Sequence, residues 1–287
     1  MFSFLISTTT CSIASDSRAC ITVSLVVTLA FVLFQKLLLR LSSVSSRHSS
    51  STATSMADVA GMRSPYRSTS DTFDLDDLAS RDPFKQFDNW FNLARSHPQI
   101  EEANAMALAT ATKSGIPSVR MVLMKGYDPS GFQFFTNHSS RKASEMSENP
   151  NCSIMFYWEP LKRSVRIEGK VERLSEEDSA TYFHSRPRTS RLGSMSSDQS
   201  TVVESRQCLK DKYDALIQEY EDENKIVPKP EFWGGYLVKP SSFEFWQGQT
   251  NRLHDRLKFH ILQDGETVDP KFTHQAEDGW VIERLSP

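Results

Sequence analysis

From Phe84 to Ala94 the apolar residues Phe84, Phe87, Trp90, Phe91 and Ala94 recur at helical spacing, which marks one buried face. Asp82 stands before them as a cap and Pro83 suits the first turn, so "DPFKQFDNWFNLARSHP" predicts a helix. Downstream the period shortens to that of strands. "AMALATAT", "SVRMVLMKGYD" and "FQFFTN" read as successive strands joined by turns at "KSGIP" and "DPSG". "SSRKASEMSENP" predicts a short helix, capped by Ser139 or Ser140 and stopped by Pro150. "CSIMFYWEP" and "RSVRIEGKVERL" add two strands separated at Pro160. "SEEDSATYFHSRP" opens like a capping box, with Ser175 followed by Asp178. "ESRQCLKDKYDALIQEYED" predicts a longer amphipathic helix, and "PKPEFWGGYLVKP", "SSFEFWQG" and "WVIERL" return to strands. About seven or eight short strands with tight connections imply a mainly β fold with flanking helices, an antiparallel barrel or sandwich. Strand–helix alternation is missing, which argues against a doubly wound sheet.

One stretch strains this pattern. "QGQTNRLHDR", Gln247 to Arg256, sits between alternating flanks, and continuing the strand through it would put Arg252, His254 and Arg256 on one face. Like charges in a row are unfavourable unless something anionic lies over them, or unless the strand is a solvated edge.

Residues 1–57 are a different object. Asp16 is their only acid, Ser and Thr are dense, and the block Ile21–Phe34 is apolar before Gln35 and Lys36 interrupt it. That block is short for a membrane helix, which needs roughly 20 residues. Signal anchor, cleaved secretory signal and organelle transit segment all remain open, and a disordered linker follows. Basic residues lie mainly after the apolar block, so anchoring through 21–39 would leave the rest cytoplasmic. Mitochondrial targeting is the other expectation. The chain thus divides into 1–57 (targeting or anchor segment plus linker), 58–80 (an N-terminal arm) and 81–287 (the folded domain).

Composition narrows the chemistry. A formal net charge of −3 over 287 residues argues against a nucleic-acid binder. Cys11, Cys20, Cys152 and Cys208 have no metal-ligand spacing, so no metal site is expected. No dinucleotide or P-loop glycine motif occurs, nor a zinc-protease or nucleophile-elbow signature. What recurs is Arg and Lys among small polar residues. Arg120 and Lys125 share "RMVLMKG" at odd spacing, so they face opposite sides unless a bulge intervenes. Thr136, Ser140, Arg141 and Lys142 fall at a strand-to-helix junction, where free N–H groups and the helix dipole favour an anion. "YFHSRPRTSRLGSMSSDQST" reads as a polar loop carrying Tyr182, Arg186, Ser190, Gln199 and Ser200. So many phosphate-type donors suit two phosphorylated small molecules, and Trp246 offers a flat surface to an aromatic ring.

"RMVLMKG", "FFTN…SRK", "FYWEPLKRSVRIEG", "YFHSRPRTSRLG", "SDQS", "WGGY" and above all "EFWQGQTNRLHDR" resemble the pyridoxine (pyridoxamine) 5'-phosphate oxidases, in order, from about Met62 to Pro287. The resemblance implies an FMN-binding split β-barrel that works as a homodimer, with sites at the subunit interface. It implies FMN contacts from Arg120, Met121, Val122, Leu123, Phe135, Thr136, Arg141, Lys142, Gln199, Ser200, Trp246 and Arg256. It implies that Lys125, Tyr182, Arg186 and Ser190 hold the substrate phosphate, and that Arg252, Leu253 and His254 lie over the pyridine ring. Arg252 and His254 are the expected catalytic pair. An arm that covers the site matches Arg67, Ser68, Thr69 and Ser70 loosely.

Two departures stand out. Ser164 occupies a flavin-contacting position where such oxidases usually have Gln, and "SRLGS" replaces "SQIGA", with Arg191 and Ser194 new. The implied reaction converts pyridoxine 5'-phosphate or pyridoxamine 5'-phosphate to pyridoxal 5'-phosphate, with O2 reduced to H2O2. Two other readings stay open: a split-barrel flavoenzyme with another substrate, and a non-catalytic carrier of FMN or pyridoxal phosphate.

Overall fold

Asp82 accepts hydrogen bonds from the backbone N–H groups of Phe84 and Lys85, which satisfies free donors at the start of helix α1 (Pro83–Ser96). The computed structural model describes residues 61–287 apart from 63, 264 and 267. The chain divides into Met1–Arg63 and Ser64–Pro287, and the described elements belong to the second unit. The expectations for residues 1–57, including anchoring through 21–39, lie outside the described residues. Among the described residues no helix is long and apolar enough to cross a membrane.

The strands are β1 (Ala105–Ala111), β2 (Pro117–Leu123), β3 (Gly126–Asp128), β4 (Gly131–Asn137) and β5 (Asn151–Trp158). They continue with β6 (Arg163–Arg173), β7 (Trp233–Gln247), β8 (Asp255–Ile261), β9 (Thr273–Gln275) and β10 (Trp280–Arg284). Four more helices flank them: α2 (Arg141–Glu148), α3 (Glu176–Ser185), α4 (Arg188–Met195) and α5 (Arg206–Glu219). The sheet runs β2–β1–β5–β6–β7–β8–β10–β9, with β4 also on β7 and β3 on β4. Each of these pairings is antiparallel.

Strand β7 divides the sheet. Trp233–Val238 pairs with β4, whereas Ser242–Gln247 pairs with β8, and β6 follows the other edge. Between the halves Pro240 contributes no N–H, and the register shifts opposite the Glu168–Gly169 step. Gly169 is needed there, because a Cβ would lie 2.0 Å from the Lys239 carbonyl oxygen. The sheet can therefore turn without closing, as a split barrel does.

Alternation on β1, β5, β6, β7 and β8 sends Met106, Leu108, Ile154, Phe156, Val165, Ile167, Phe243, Phe245, Leu257 and Phe259 into one core. Helix α1 covers it, with Phe87 edge-on to Phe132 at 4.9 Å and Trp90 edge-on to Phe245 at 5.4 Å. A satellite cluster of Phe183, Leu192, Tyr220, Val227 and Trp233 joins α3, α4 and α5 to the start of β7.

Several expectations need correction. The stretch Gln247–Arg256 is not one strand: β7 ends at Gln247, β8 starts at Asp255, and residues 248–254 form a turn. Arg252 has φ +69°, a left-handed conformation that breaks the two-residue alternation, so Arg252, His254 and Arg256 do not share one pleated face. "SVRMVLMKGYD" breaks at Met124–Lys125 into β2 and β3, which frees Arg120 and Lys125 from a common strand. "PKPEFWGGYLVKP" and "SSFEFWQG" merge into β7. The polar stretch after Arg186 contains helix α4. Helix α5 buries none of its side chains fully; of its half-buried residues, Tyr213 and Leu216 pack against the satellite cluster. The short strand β9 was not expected.

Candidate active site

Helix α2 starts four residues after Asn137 ends β4, and this junction gathers donors at one corner. Lys142 Nζ donates to Gln199 Oε1 at 2.7 Å and to Thr136 Oγ1 at 3.2 Å. The Thr136 hydroxyl donates to the same Gln199 oxygen at 3.0 Å, and the Arg141 backbone N–H donates to Ser200 Oγ at 3.2 Å. Ser140 is the N-cap, but its hydroxyl donates to the Asn137 carbonyl instead of accepting from the helix. Burial and the nearby charge of Arg120 lower Lys142 to about 8, against an opposing pull from Glu145.

Arg120 reaches the same corner from β2. Its NH1 donates to the Leu108 carbonyl at 3.1 Å and to Thr110 Oγ1 at 2.5 Å. Its NH2 donates to Ser118 Oγ at 2.5 Å and to Glu145 Oε2 at 3.3 Å. Glu145 Oε1 takes Arg141 Nε at 2.8 Å. Three cations at a helix N-terminus, balanced by one carboxylate, make a net positive cradle suited to a phosphate.

A second group lies across four neighbouring strands, β5, β6, β7 and β8. Tyr157 pairs with Ser164, Ser164 with Trp246, and Trp246 with Arg256, so the four share one face. Arg256 Nε donates to Glu244 Oε1 at 2.8 Å and its NH1 to the Ser286 carbonyl at 2.6 Å; Arg166 holds the other Glu244 oxygen. The bond to Glu244 raises Arg256 above its ordinary value. Beside the row is an open cavity of about 350 Å³ bordered by Tyr66, Met155, Tyr157, Ser164 and Trp246.

The turn after β7 adds His254. Its Nδ1 accepts from the Gln249 backbone N–H at 2.9 Å, so the neutral ring carries its proton on Nε2. Burial and the Arg252 charge push His254 below its ordinary value, with Asp255 opposing. The His254 ring lies 5.0 Å from Trp246, and Tyr66 meets both edge-on, at 5.6 and 6.0 Å. Tyr66 belongs to an arm that is tied down. Arg67 bridges to Gln249, Thr250 Oγ1 donates to the Arg67 carbonyl at 2.8 Å, and Gln249 Nε2 donates to the Asp71 carbonyl at 2.7 Å. The Arg67 side chain is spent on the Leu161 carbonyl and Asp71, and the Ser68 and Ser70 hydroxyls bond each other at 2.8 Å. Leu253 and Thr69 are exposed.

A third group forms on the satellite cluster. Phe135 stacks on Tyr182 at 4.0 Å, and the Arg186 guanidinium lies 4.8 Å from the Trp233 ring centre. Arg186 NH1 donates to Ser194 Oγ at 2.9 Å and NH2 to the Ser190 carbonyl at 3.2 Å. Ser194, one of the departures, thus supplies an acceptor that Ala could not. Burial lowers Arg186 and raises Tyr182. Arg191 Nε is buried with no partner among the described residues. Lys125 is not seen to join this group: its backbone N–H donates to the Gln133 carbonyl at 2.8 Å, and it borders a separate cavity with Arg95 and Tyr127. On β2, Met121 points outward at 64% exposure next to Val119 at 68%, leaving an apolar edge.

The structure therefore joins Arg120, Thr136, Arg141, Lys142, Gln199 and Ser200 at one place, and Ser164, Trp246, His254 and Arg256 at another. Sequence reasoning missed Tyr66, Glu145 and Glu244. Glu145 had a signal in its four-residue spacing from Arg141, and Glu244 in its alternation with Trp246. Tyr66 had none.

Residues 95–219 match the family model described as pyridoxamine 5'-phosphate oxidase, and residues 233–287 match the pyridoxine 5'-phosphate oxidase C-terminal dimerisation region. The chain is 52% identical over 230 residues to a pyridoxine/pyridoxamine 5'-phosphate oxidase of Bombyx mori, covering 80% of this chain and 90% of that one. It is 50% identical over 242 residues to a pyridoxine-5'-phosphate oxidase of Bos taurus, covering 84% of this chain and 92% of that one. Among solved structures it resembles PhzG from Burkholderia lata, in complex with tetrahydrophenazine-1-carboxylic acid, with a TM-score of 0.64 and 26% identity over 76% of this chain and 98% of that one. A pyridoxamine 5'-phosphate oxidase-related, FMN-binding protein from Nostoc punctiforme shares the fold, with a TM-score of 0.52 at 15% identity over 71% of this chain and 98% of that one.

Proposed function

Because this chain belongs to the pyridoxine/pyridoxamine 5'-phosphate oxidase family, we propose that it oxidises the C4' alcohol of pyridoxine 5'-phosphate and the C4' amine of pyridoxamine 5'-phosphate to the aldehyde of pyridoxal 5'-phosphate. It is an oxidoreductase of vitamin B6 metabolism. The alcohol and O2 give aldehyde and H2O2; the amine, O2 and water give aldehyde, ammonia and H2O2.

The residues present fit FMN. Arg120, Arg141 and Lys142, with Thr136, Gln199 and Ser200, would hold its phosphate. Trp246, Ser164 and Arg256 would face its ring system, with backbone from Arg120 to Leu123 and Phe135 beside it. When bound, FMN supplies the two-electron acceptor for C4' and passes the electrons to O2.

One observation carries the dimeric form of this reading: the phosphate cradle and the Trp246–Arg256 row face opposite sides of the sheet of one chain. A site needing both is completed by a second copy. Trp246, Arg252, His254 and Arg256 all fall within the segment that matches a dimerisation region, which supports a homodimer.

In this arrangement Tyr182, Arg186 and Ser190 bind the substrate phosphate; Lys125, which borders a separate cavity at the β2–β3 break, is the further donor that the family resemblance implies. Arg252 and neutral His254 orient the pyridine ring and polarise its substituent. The arm carrying Tyr66 and Arg67–Ser70 excludes water from above, and Leu253 adds an apolar edge. Positioning C4' in this way is the contribution of the chain to the rate. A cytoplasmic catalytic unit is also proposed, on the basic residues that follow the apolar block; cell fractionation tests it.

The deciding experiment is a visible spectrum of the purified chain, followed by addition of either substrate in air. Bound flavin with aldehyde and peroxide formed in equal amounts supports the oxidase. Bound flavin without turnover of either substrate rejects it.

A further inference from the structure

Glu145 is 3% exposed, yet it lies at the edge of a cluster of cations. Its Oε2 accepts from Thr110 Oγ1 and Ser118 Oγ, each at 2.5 Å, and from Arg120 NH2 at 3.3 Å; its Oε1 accepts from Arg141 Nε at 2.8 Å. Burial alone would raise this carboxyl, but the bonds from Ser118, Thr110, Arg141 and Arg120 outweigh it and hold the group at about 2. Helix α2 is already anchored in the core by Ala143 and Met146, so four bonds to Glu145 exceed what packing of the helix requires. The carboxylate joins two guanidiniums that arrive from different elements, Arg120 from β2 and Arg141 from α2. It takes only Nε of Arg141, and the terminal nitrogens of that side chain have no partner among the described residues.

We propose that Glu145 is a positioning residue for the flavin phosphate: it clamps Arg120 and Arg141 side by side before any anion arrives. This rests on reading that corner as the FMN phosphate site. Without the carboxylate, Arg120, Arg141 and Lys142 would repel one another and splay into solvent. With it, the cluster carries two net positive charges, the complement of a phosphate monoester dianion. Glu145 touches neither substrate nor flavin; it acts through the two arginines.

The test compares FMN with riboflavin, which lacks the phosphate, by fluorescence titration of the flavin-stripped full chain. Glu145→Gln keeps the size of the side chain and an acceptor for Ser118 and Thr110 but removes the charge. The expected result is an FMN dissociation constant raised about tenfold or more with riboflavin binding changed by less than about twofold. Equal weakening of both ligands would make Glu145 a strut for α2 and overturn the proposal. Unchanged or tighter FMN binding would overturn it too, because the carboxylate would then only repel the phosphate. If Glu145→Gln does not fold, Ser118→Ala, which loosens Glu145 and Arg120 without changing charge, decides by the same ratio. The unsubstituted chain checks the underlying reading separately: no preference for FMN over riboflavin would remove the phosphate site itself.

Discussion

Arg120 and Trp246 project from opposite faces of one antiparallel sheet. Arg120 pairs with Leu108 and, through Ile154 and Ile167, belongs to the face that carries the core. Trp246 pairs with Ser164, which pairs with Tyr157, an odd number of residues from Ile154 and so on the other face. Both residues are assigned to the same flavin, and the sheet of one chain stands between them.

A subunit-mixing experiment follows. Arg120→Ala and Arg256→Trp are each expected to lose FMN as homodimers, the second because it removes the bonds to Glu244 and Ser286 and adds bulk next to Trp246. Mixed dimers would contain one site with both defects and one with neither. Random reassociation of equal amounts should restore about a quarter of the parental activity. Activity that stays at the level of the separate variants would mean that each site is built within one chain.

Arg186 is gripped by Ser194 Oγ and the Ser190 carbonyl while it lies over Trp233. Arg186→Ala should raise KM for the phosphorylated substrates by tenfold or more, roughly the worth of one charge-assisted hydrogen bond. Flavin content should not change. Ser194→Ala should raise KM by less, about two- to fivefold, because the cation remains but is held less firmly. Steady-state kinetics with flavin quantified in each sample separates the two effects.

With Lys142 in the proposed phosphate cradle, FMN binding is expected to depend on pH. Its folded value of about 8 lies below the ordinary 10.5, so the free protein loses this cation as pH rises through about 8. A bound phosphate favours the charged form and raises the value again, so binding takes up a proton above pH 8. The FMN dissociation constant should be lowest near pH 7, where the phosphate is a dianion and Lys142 is charged, and rise above pH 8 by up to about tenfold per unit. Lys142→Met should bind more weakly at pH 7 and lose most of that rise. Titrations at pH 6.5, 8 and 9 would measure it; an identical slope in the variant would assign the dependence to another group.

Ser164 borders the cavity next to Trp246, with room for a longer side chain. Ser164→Gln should tighten FMN binding by about two- to tenfold, the net worth of one added hydrogen bond. Turnover at saturating flavin should stay within about twofold of the parent. Flavin titration checks the first statement and initial rates the second; an unchanged dissociation constant would mean that Ser164 does not face the flavin.

Much of the fold was legible because its signals are local. The Asp82 cap, the Pro83 start and the spacing of Phe87, Trp90 and Ala94 all resolve within one helix. The failures came where local and long-range demands conflict. Alternation on either side of Gln247–Arg256 suggested a continuous strand, but the Gln249–His254 bond and the left-handed Arg252 build a turn. That turn is stabilised by the arm at Tyr66, Arg67 and Asp71, far away in sequence. The polar run around Arg188 looked like a loop because its one deeply buried apolar residue, Leu192, finds its partners in a satellite cluster that no local period announces.

By itself, the sequence determined the strand-rich class, the family and the identity of the phosphate-type donors, since these depend on residue type, short-range period and motif order. Only the tertiary structure decided which donors meet, that Glu145 and Glu244 hold the arginines, and that the phosphate cradle and the Trp246–Arg256 row, the two halves of the proposed flavin site, face opposite sides of one sheet. The physical reason is that pairing register, the turn at Pro240 and Gly169 and the docked arm bring together residues as far apart in sequence as Phe73 and Arg284, and a pleated sheet sends neighbouring side chains to opposite faces.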